Sequence, residues 1–188
     1  MSNLAHGGDD FPDAAGKNLS DAMTLLEANR YDGAGYLAGY VVECSLKTFI
    51  VLANIAQRAG FNSTGLVQGF AAGGGVVVGA IPNAHQTARA ASRTPQGKKP
   101  SGSHDLENLS REAIALASLP SSATAKYAPP NPMANLHPSA IYANGWTESL
   151  RYQSPGTLGP TMATAWVEEA KKVYRATVAE MRRDGVVF

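Results

Sequence analysis

Apolar residues recur at intervals of three and four along four stretches of this chain, the period of a helix with one buried face. In "DAAGKNLSDAMTLLEAN", about Asp13 to Asn29, the recurring positions are Ala15, Leu19, Ala22, Met23 and Leu26. Pro12 suits a first-turn position, with Asp10 upstream as a candidate cap. The second stretch, about Asp32 to Ala59, is apolar nearly all round, which predicts a helix at the centre of a bundle. The third, about His104 to Ser118, has Leu106, Leu109, Ala113, Leu116 and Ala117 on one stripe, with Ser103 placed to cap it. Asp105 and Glu107 put negative charge in its first turn, where the helix dipole favours it. The fourth, about Thr161 to Arg183, lines Met162, Trp166, Ala170, Val173, Thr177 and Met181 along one side, and Gly185 is placed to stop it.

Two long connections separate these helices, at about 60–103 and 119–159. The first contains "AAGGGVVVGAIP" and then a weakly basic run ending "PQGKKPSGS"; the second is rich in Pro, Ala and Asn. No stretch alternates with the period of a strand. The pattern predicts one all-α domain over 1–188, an antiparallel four- to five-helix bundle with two long irregular connections.

The second helix poses the main question. Among Leu37, Val41, Val42, Leu46, Phe49 and Leu52, it carries a polar band of Tyr36, Tyr40, Glu43, Lys47, Asn54 and Arg58. Successive residues turn by about 100°, so these six fall within one narrow arc. Two readings stand side by side. In one, Glu43 and Lys47 are an ordinary i,i+4 pair, worth about 0.2–0.5 kcal/mol on an exposed helix. In the other, the tyrosines, Glu43 and Lys47 border a polar cleft that His104 and Arg151 also reach.

Composition narrows the partners. The chain has 188 residues, 44% hydrophobic and 16% charged, with a net charge of +1. That is enough apolar material for a core, and too little net charge to select nucleic acid or a membrane by field alone. Cys44 is the only cysteine, which excludes a disulfide within the chain and a multi-thiolate metal site. A buried, reduced thiol fits a cytoplasmic protein. "MSNLAHGGDD" has neither the basic nor the apolar region of a signal peptide, and no uninterrupted apolar run approaches the ~20 residues of a spanning helix. No membrane partner is expected.

Other chemistry is thin. His6, His85, His104 and His137 are scattered without metal-ligand spacing, so no metal is expected. Gly73 to Gly75 lack the Gly-Lys-Ser/Thr of a P-loop, and no nucleophile elbow is present. No cofactor is implied and no catalytic residue is assigned. Arg151, in "WTESLRY", suits either anion binding or tying the second connection to the bundle. Trp146 and Tyr152 read as core anchors rather than base-stacking platforms. The basic residues of the fourth helix, interleaved with Glu168, Glu169 and Glu180, read as a solvated face.

Taken in order, "YDGAGYLAGYVVECSLKTFIVL", "SHDLENL", "WTESLRY" and an amphipathic closing helix resemble the HEPN domain. The most specific part is the second helix, with small or apolar residues at Ala34, Leu37, Ala38 and Gly39, then Glu43, then Leu46 and Lys47. His104, Asp105 and Leu106 add to it. The resemblance spans the four helices but not the two connections. It implies an up-and-down bundle, often a homodimer, associated with nucleotides or RNA. It also implies a toxin–antitoxin, phage-defence or nucleotidyltransferase-linked setting, with an antitoxin or nucleotidyltransferase as partner. Catalytic members are metal-independent ribonucleases marked by an Arg followed, after four to six residues, by a His. Arg89, Arg93, Arg111 and Arg151 have no His at that distance. Ribonuclease activity is therefore not carried over. The reading is a HEPN-like protein that binds a nucleotide or RNA. The alternative is a non-catalytic helical subunit for interaction or dimerisation within a larger complex.

Overall fold

A computed structural model of the chain describes residues 11–59, 106–119, 124–130 and 145–187, except for the side chains of 55 and 57–59. Asp10, Ser103, His104, Gly73 to Gly75, Arg89, Arg93 and the other histidines lie outside the described residues, as does the Arg58 side chain. The described residues are all-α. Helix α1 spans Phe11–Glu27, α2 Tyr31–Ala59, α3 Leu106–Ala117 and α4 Pro160–Tyr174. A π turn, Arg175–Ala179, carries α4 directly into α5, Glu180–Arg183. The four periodic stretches are therefore helices, displaced from their expected bounds by two residues or fewer at every end within the described residues; the expected start of the third, at His104, lies outside them.

Each end has a local cause. Pro12 sits in the first turn of α1, where a missing N–H costs nothing. Asn29 stops α1 in the left-handed region, at φ 58°. Its N–H donates to the Leu26 carbonyl, and the Arg30 N–H donates to that of Leu25, at 3.0 and 2.8 Å. This is the Schellman pattern, and it turns the chain into α2 within three residues. Gly185, at φ 69°, stops α5 the same way, with the Val186 N–H on the Met181 carbonyl at 2.8 Å. Met181 and Val186 are both buried, the apolar contact that accompanies this cap.

Helix α2 is the hub and packs on α1, α3 and α4. Leu25 lies against Gly33 at the turn, and Lys47 lies over the Phe11 ring at the far end, so α1 and α2 run antiparallel. Trp166 lies near Gly35, Tyr174 near Gly16, and Arg182 pairs with Asp13. The α4–α5 rod thus runs along α2 and against α1, as up-and-down alternation requires. The wide apolar arc of α2 is covered within this single chain: Val41, Leu46, Phe49 and Leu52 are fully buried. The segment Tyr31–Asn54 is long and apolar enough to cross a membrane by length and composition. Asp32, Glu43 and Lys47 interrupt its apolar residues, and 78% of that window is buried inside the protein.

The second connection is partly built onto the bundle. Two 3₁₀ turns, Ala125–Tyr127 and Glu148–Tyr152, carry it. Tyr127 is fully buried and donates its hydroxyl to Asp184 at 2.8 Å, beside Lys126, which pairs with the same oxygen at 2.6 Å. Burial and then that hydrogen bond push the Tyr127 phenol up to about 12. Lys126 and then Tyr127 hold Asp184 below the usual carboxylate range. Two expectations for surface and core need correcting. Tyr152 is 77% exposed rather than a core anchor, because its turn faces outward. Glu169 is buried rather than part of the solvated face of α4, because the α2-facing arc extends from Trp166 through Val167 and Ala170 to include it. Trp146 and Trp166 do pack inward.

Why the connection docks is set by α2. Gly35 and Gly39 leave a channel along its backbone. A Cβ on Gly39 would fall inside the Trp146 indole, against Cε2 and Nε1. A Cβ on Gly35 would meet Leu158 Cδ1 at 2.5 Å and Trp166 Cε3 at 3.1 Å. In an uncrowded helix interior, Gly→Ala stabilises by about 0.5–1 kcal/mol. Gly39→Ala is expected to do the opposite, destabilising by about 2–3 kcal/mol through overpacking, as read by urea denaturation. A neutral or stabilised variant would show that Trp146 does not occupy this notch.

Candidate functional site

The polar band of α2 divides into two linked parts. Tyr36 and Tyr40, one turn apart, join hydroxyls at 3.1 Å, and their rings meet edge to face at 5.1 Å. Trp146 closes the cluster from the second connection. Its ring stands edge to face on Tyr40 at 5.4 Å, and Nε1–H donates to the Tyr36 carbonyl at 2.9 Å. Beside them the exposed Arg151 guanidinium lies over the Tyr152 ring at 4.7 Å, a cation–π contact. The Tyr152 phenol oxygen first, then those of Tyr36 and Tyr40, favour its charged form. Burial, then the Tyr36 hydrogen bond, then Glu43, hold the Tyr40 phenol above its ordinary range, while Arg151 pulls the other way.

One turn further along, Lys47 donates to Glu43 at 2.5 Å. The pair of the first reading is therefore made, but not on an exposed face. Glu43 is 3% exposed and Lys47 20%, and the Lys47 ammonium also stands 5.3 Å from the centre of the Phe11 ring. Asn54 bonds back to the Ile50 carbonyl within its own helix. Of the six residues singled out from sequence, Tyr36, Tyr40 and Arg151 come together. Glu43 acts on Tyr40 electrostatically, Lys47 pairs with Glu43, and His104 lies outside the described residues.

Three contributors take parts that the sequence alone does not assign to them. Tyr152 supplies the open aromatic face. Gly39 admits Trp146. Asp32, in the first turn of α2, accepts the Gly156 N–H at 2.6 Å and the Leu158 N–H at 2.7 Å, one on each carboxylate oxygen. An acid in a first turn is a signal that can be read from sequence, but it points to the helix's own dipole and not to a loop over 120 residues away.

Chemically, the cluster offers one permanent exposed cation, one open aromatic ring and two phenols. Tyr40 stays protonated at neutral pH, so it donates or accepts hydrogen bonds and does not serve as a base. A planar ring carrying phosphate matches these groups: stacking on Tyr152, and a guanidinium for the phosphate oxygens. Among the described residues, no group of three or more His, Cys, Asp or Glu is placed to hold a metal ion. No protein family, curated protein or solved structure matches the chain.

Two predictions concern buried charge. Lys47→Ala removes the ammonium partner of a carboxylate that is 3% exposed, and is expected to cost about 3 kcal/mol. A Glu43/Lys47 double-mutant cycle is expected to show coupling above about 1 kcal/mol in chemical denaturation. Coupling below about 0.5 kcal/mol would place the pair with exposed helix pairs. The second concerns Glu112 on α3, where burial pushes the carboxyl up from 4.5 to about 7. Between those values the folded state binds more protons than the unfolded one, so this group's contribution to stability falls as pH rises. Glu112→Gln is expected to flatten that fall by roughly 1–2 kcal/mol, less than full linkage because the group keeps some solvent access. Parallel pH profiles for the two proteins would contradict it.

Proposed function

We propose that this chain is a HEPN-like helical protein that binds a nucleotide or RNA on the face formed by Tyr36, Tyr40, Arg151 and Tyr152. The observation that carries this reading is the exposed Arg151 guanidinium lying over the 77%-exposed Tyr152 ring, beside two tyrosine hydroxyls. Cation and ring side by side are what a phosphate and a base require, and neither contributes to the core. The all-α architecture agrees with the resemblance, as do the directions of α1, α2 and the α4–α5 rod. We extend those directions to an antiparallel bundle in which α3 completes the alternation. The proposed setting is a toxin–antitoxin or phage-defence module, with an antitoxin or nucleotidyltransferase as partner. Binding, not strand cleavage, is the proposed activity, because the Arg–His pair of the catalytic members has no counterpart in the sequence.

The competing reading is a helical interaction or dimerisation subunit whose polar stripe on α2 pairs with a partner or a second copy; against it, Glu43 and Lys47 of that stripe pair with each other. With Glu43 buried in that pair, the exposed feature left to explain is the Arg151–Tyr152 surface. A homodimer stays part of the HEPN-like proposal on the strength of the resemblance.

Fluorescence anisotropy with a labelled single-stranded RNA tests the proposal. Affinity should fall as salt rises, because phosphate contacts release counterions. Arg151→Ala should lower the slope of log K against log salt by about 0.7, the share of one phosphate contact on a single strand. Tyr152→Ala should cost about 1–3 kcal/mol through lost stacking. Salt-dependent binding that both variants leave intact would move the ligand to another face; no binding at all would end the reading.

A further inference from the structure

The Arg151–Tyr152 turn belongs to a strap, residues 145–159, held to α2 at both ends. At the first end Trp146 fills the Gly39 notch and bonds the Tyr36 carbonyl. At the second, both oxygens of Asp32 are used, one by the Gly156 N–H and one by the Leu158 N–H. Leu158 is 4% exposed and lies along the Gly35 backbone near Trp166. Gly156 takes φ 86°, which turns its N–H and that of Leu158 toward one carboxylate, and the Thr157 hydroxyl bonds the Ser154 carbonyl within the turn. Between the anchors, residues 151–157 are exposed and pack little of their own surface. Their conformation is set by the anchors rather than by burial.

From this we infer that Asp32 is a positioning residue for the Arg151–Tyr152 platform. It contacts no ligand; it keeps the strap closed on α2 so that the guanidinium and ring stand beside the Tyr36 and Tyr40 hydroxyls. The two amide donors, two residues apart, each use a separate carboxylate oxygen. An amide at this position supplies only one and sets an N–H₂ against the other donor. Charge-assisted bonds of this kind are the strong ones, and their loss frees a segment that has little else to hold it. The inference rests on the nucleic-acid reading for its consequence, but not for the strap itself.

Two variants attack the anchor from opposite sides. Asp32→Asn alters the acceptor. Gly156→Ala leaves α2 untouched: a Cβ there meets nothing within 4 Å, and only the positive φ is strained. Brief trypsin digestion followed by mass spectrometry reads the strap through the peptide that begins at Tyr152. Cleavage after Arg111, exposed on α3, serves as the internal control. Both variants should speed cleavage after Arg151 about tenfold relative to Arg111, the factor expected from losing a charge-assisted hydrogen bond. Both should weaken binding of the same single-stranded RNA by a similar factor, while far-UV circular dichroism stays unchanged. Unchanged cleavage at Arg151 in both variants overturns the inference, and so does faster cleavage with unchanged RNA affinity when Arg151→Ala does weaken binding. Where Arg151→Ala and Tyr152→Ala leave RNA binding intact, the nucleic-acid reading fails on its own, and the cleavage ratio still decides whether Asp32 holds the strap.

Discussion

The missing side chain at Gly39 governs the arrangement of this protein. Helix interiors disfavour glycine, which loses more backbone entropy on folding than any other residue. Here it leaves a gap the size of an indole edge, and Trp146 fills it from over 100 residues away. The Tyr36 carbonyl, placed within the helix, has a second lone pair to offer beyond its helical bond, and the indole N–H takes it. A buried tryptophan needs such a partner, so notch and carbonyl together define a single docking pose. Gly35 repeats the device one turn earlier for Leu158 and Trp166. The connection and the fourth helix therefore meet the second helix along one channel.

That docking places the polar band of α2 in unusual surroundings. Tyr40 sits under the Trp146 ring, Glu43 is almost fully enclosed, and Lys47 covers an aromatic ring instead of extending into water. In such a medium a charge pair interacts more strongly than on a free helix, and losing one member leaves the other poorly solvated. The other end of the band, by contrast, opens to solvent through Arg151 and Tyr152. The polar band of α2 thus passes from a closed ion pair to tyrosines that stand beside an open cation on the second connection. The question raised by charges in the most apolar stretch has a two-part answer: the charges pair locally, and the tyrosines before them connect outward.

Much of the helical frame was legible in the sequence, because periodicity reports burial wherever a helix has one dry face. Pro12 and Gly185 marked ends for reasons that hold in any helix. Asn29 was less visible, since asparagine adopts the left-handed region only where context supports it. The site was legible in half. Tyr36, Tyr40, Glu43 and Lys47 follow from the turn angle of a single helix, so their shared face could be read directly. Tyr152 could not: whether an aromatic residue in a 3₁₀ turn points in or out depends on how the whole connection docks. Nor could the part played by Asp32, whose acceptors serve amides far along the chain. Gly39 was visible as part of a pattern of small residues, but its meaning, and that of Gly35, appeared only with the two tryptophans seated against them.

Hydrogen exchange at the Trp146 indole N–H, followed by NMR with Trp166→Phe to assign the two indole signals, tests the docking most directly. If Trp146 is seated in the Gly39 notch and bonded to the Tyr36 carbonyl, its indole proton exchanges as slowly as the core amides of α2, by openings that unfold the bundle. Exchange at the rate of a free indole, with the α2 amides still protected, would contradict the seating of Trp146 on which the polar face and the strap depend.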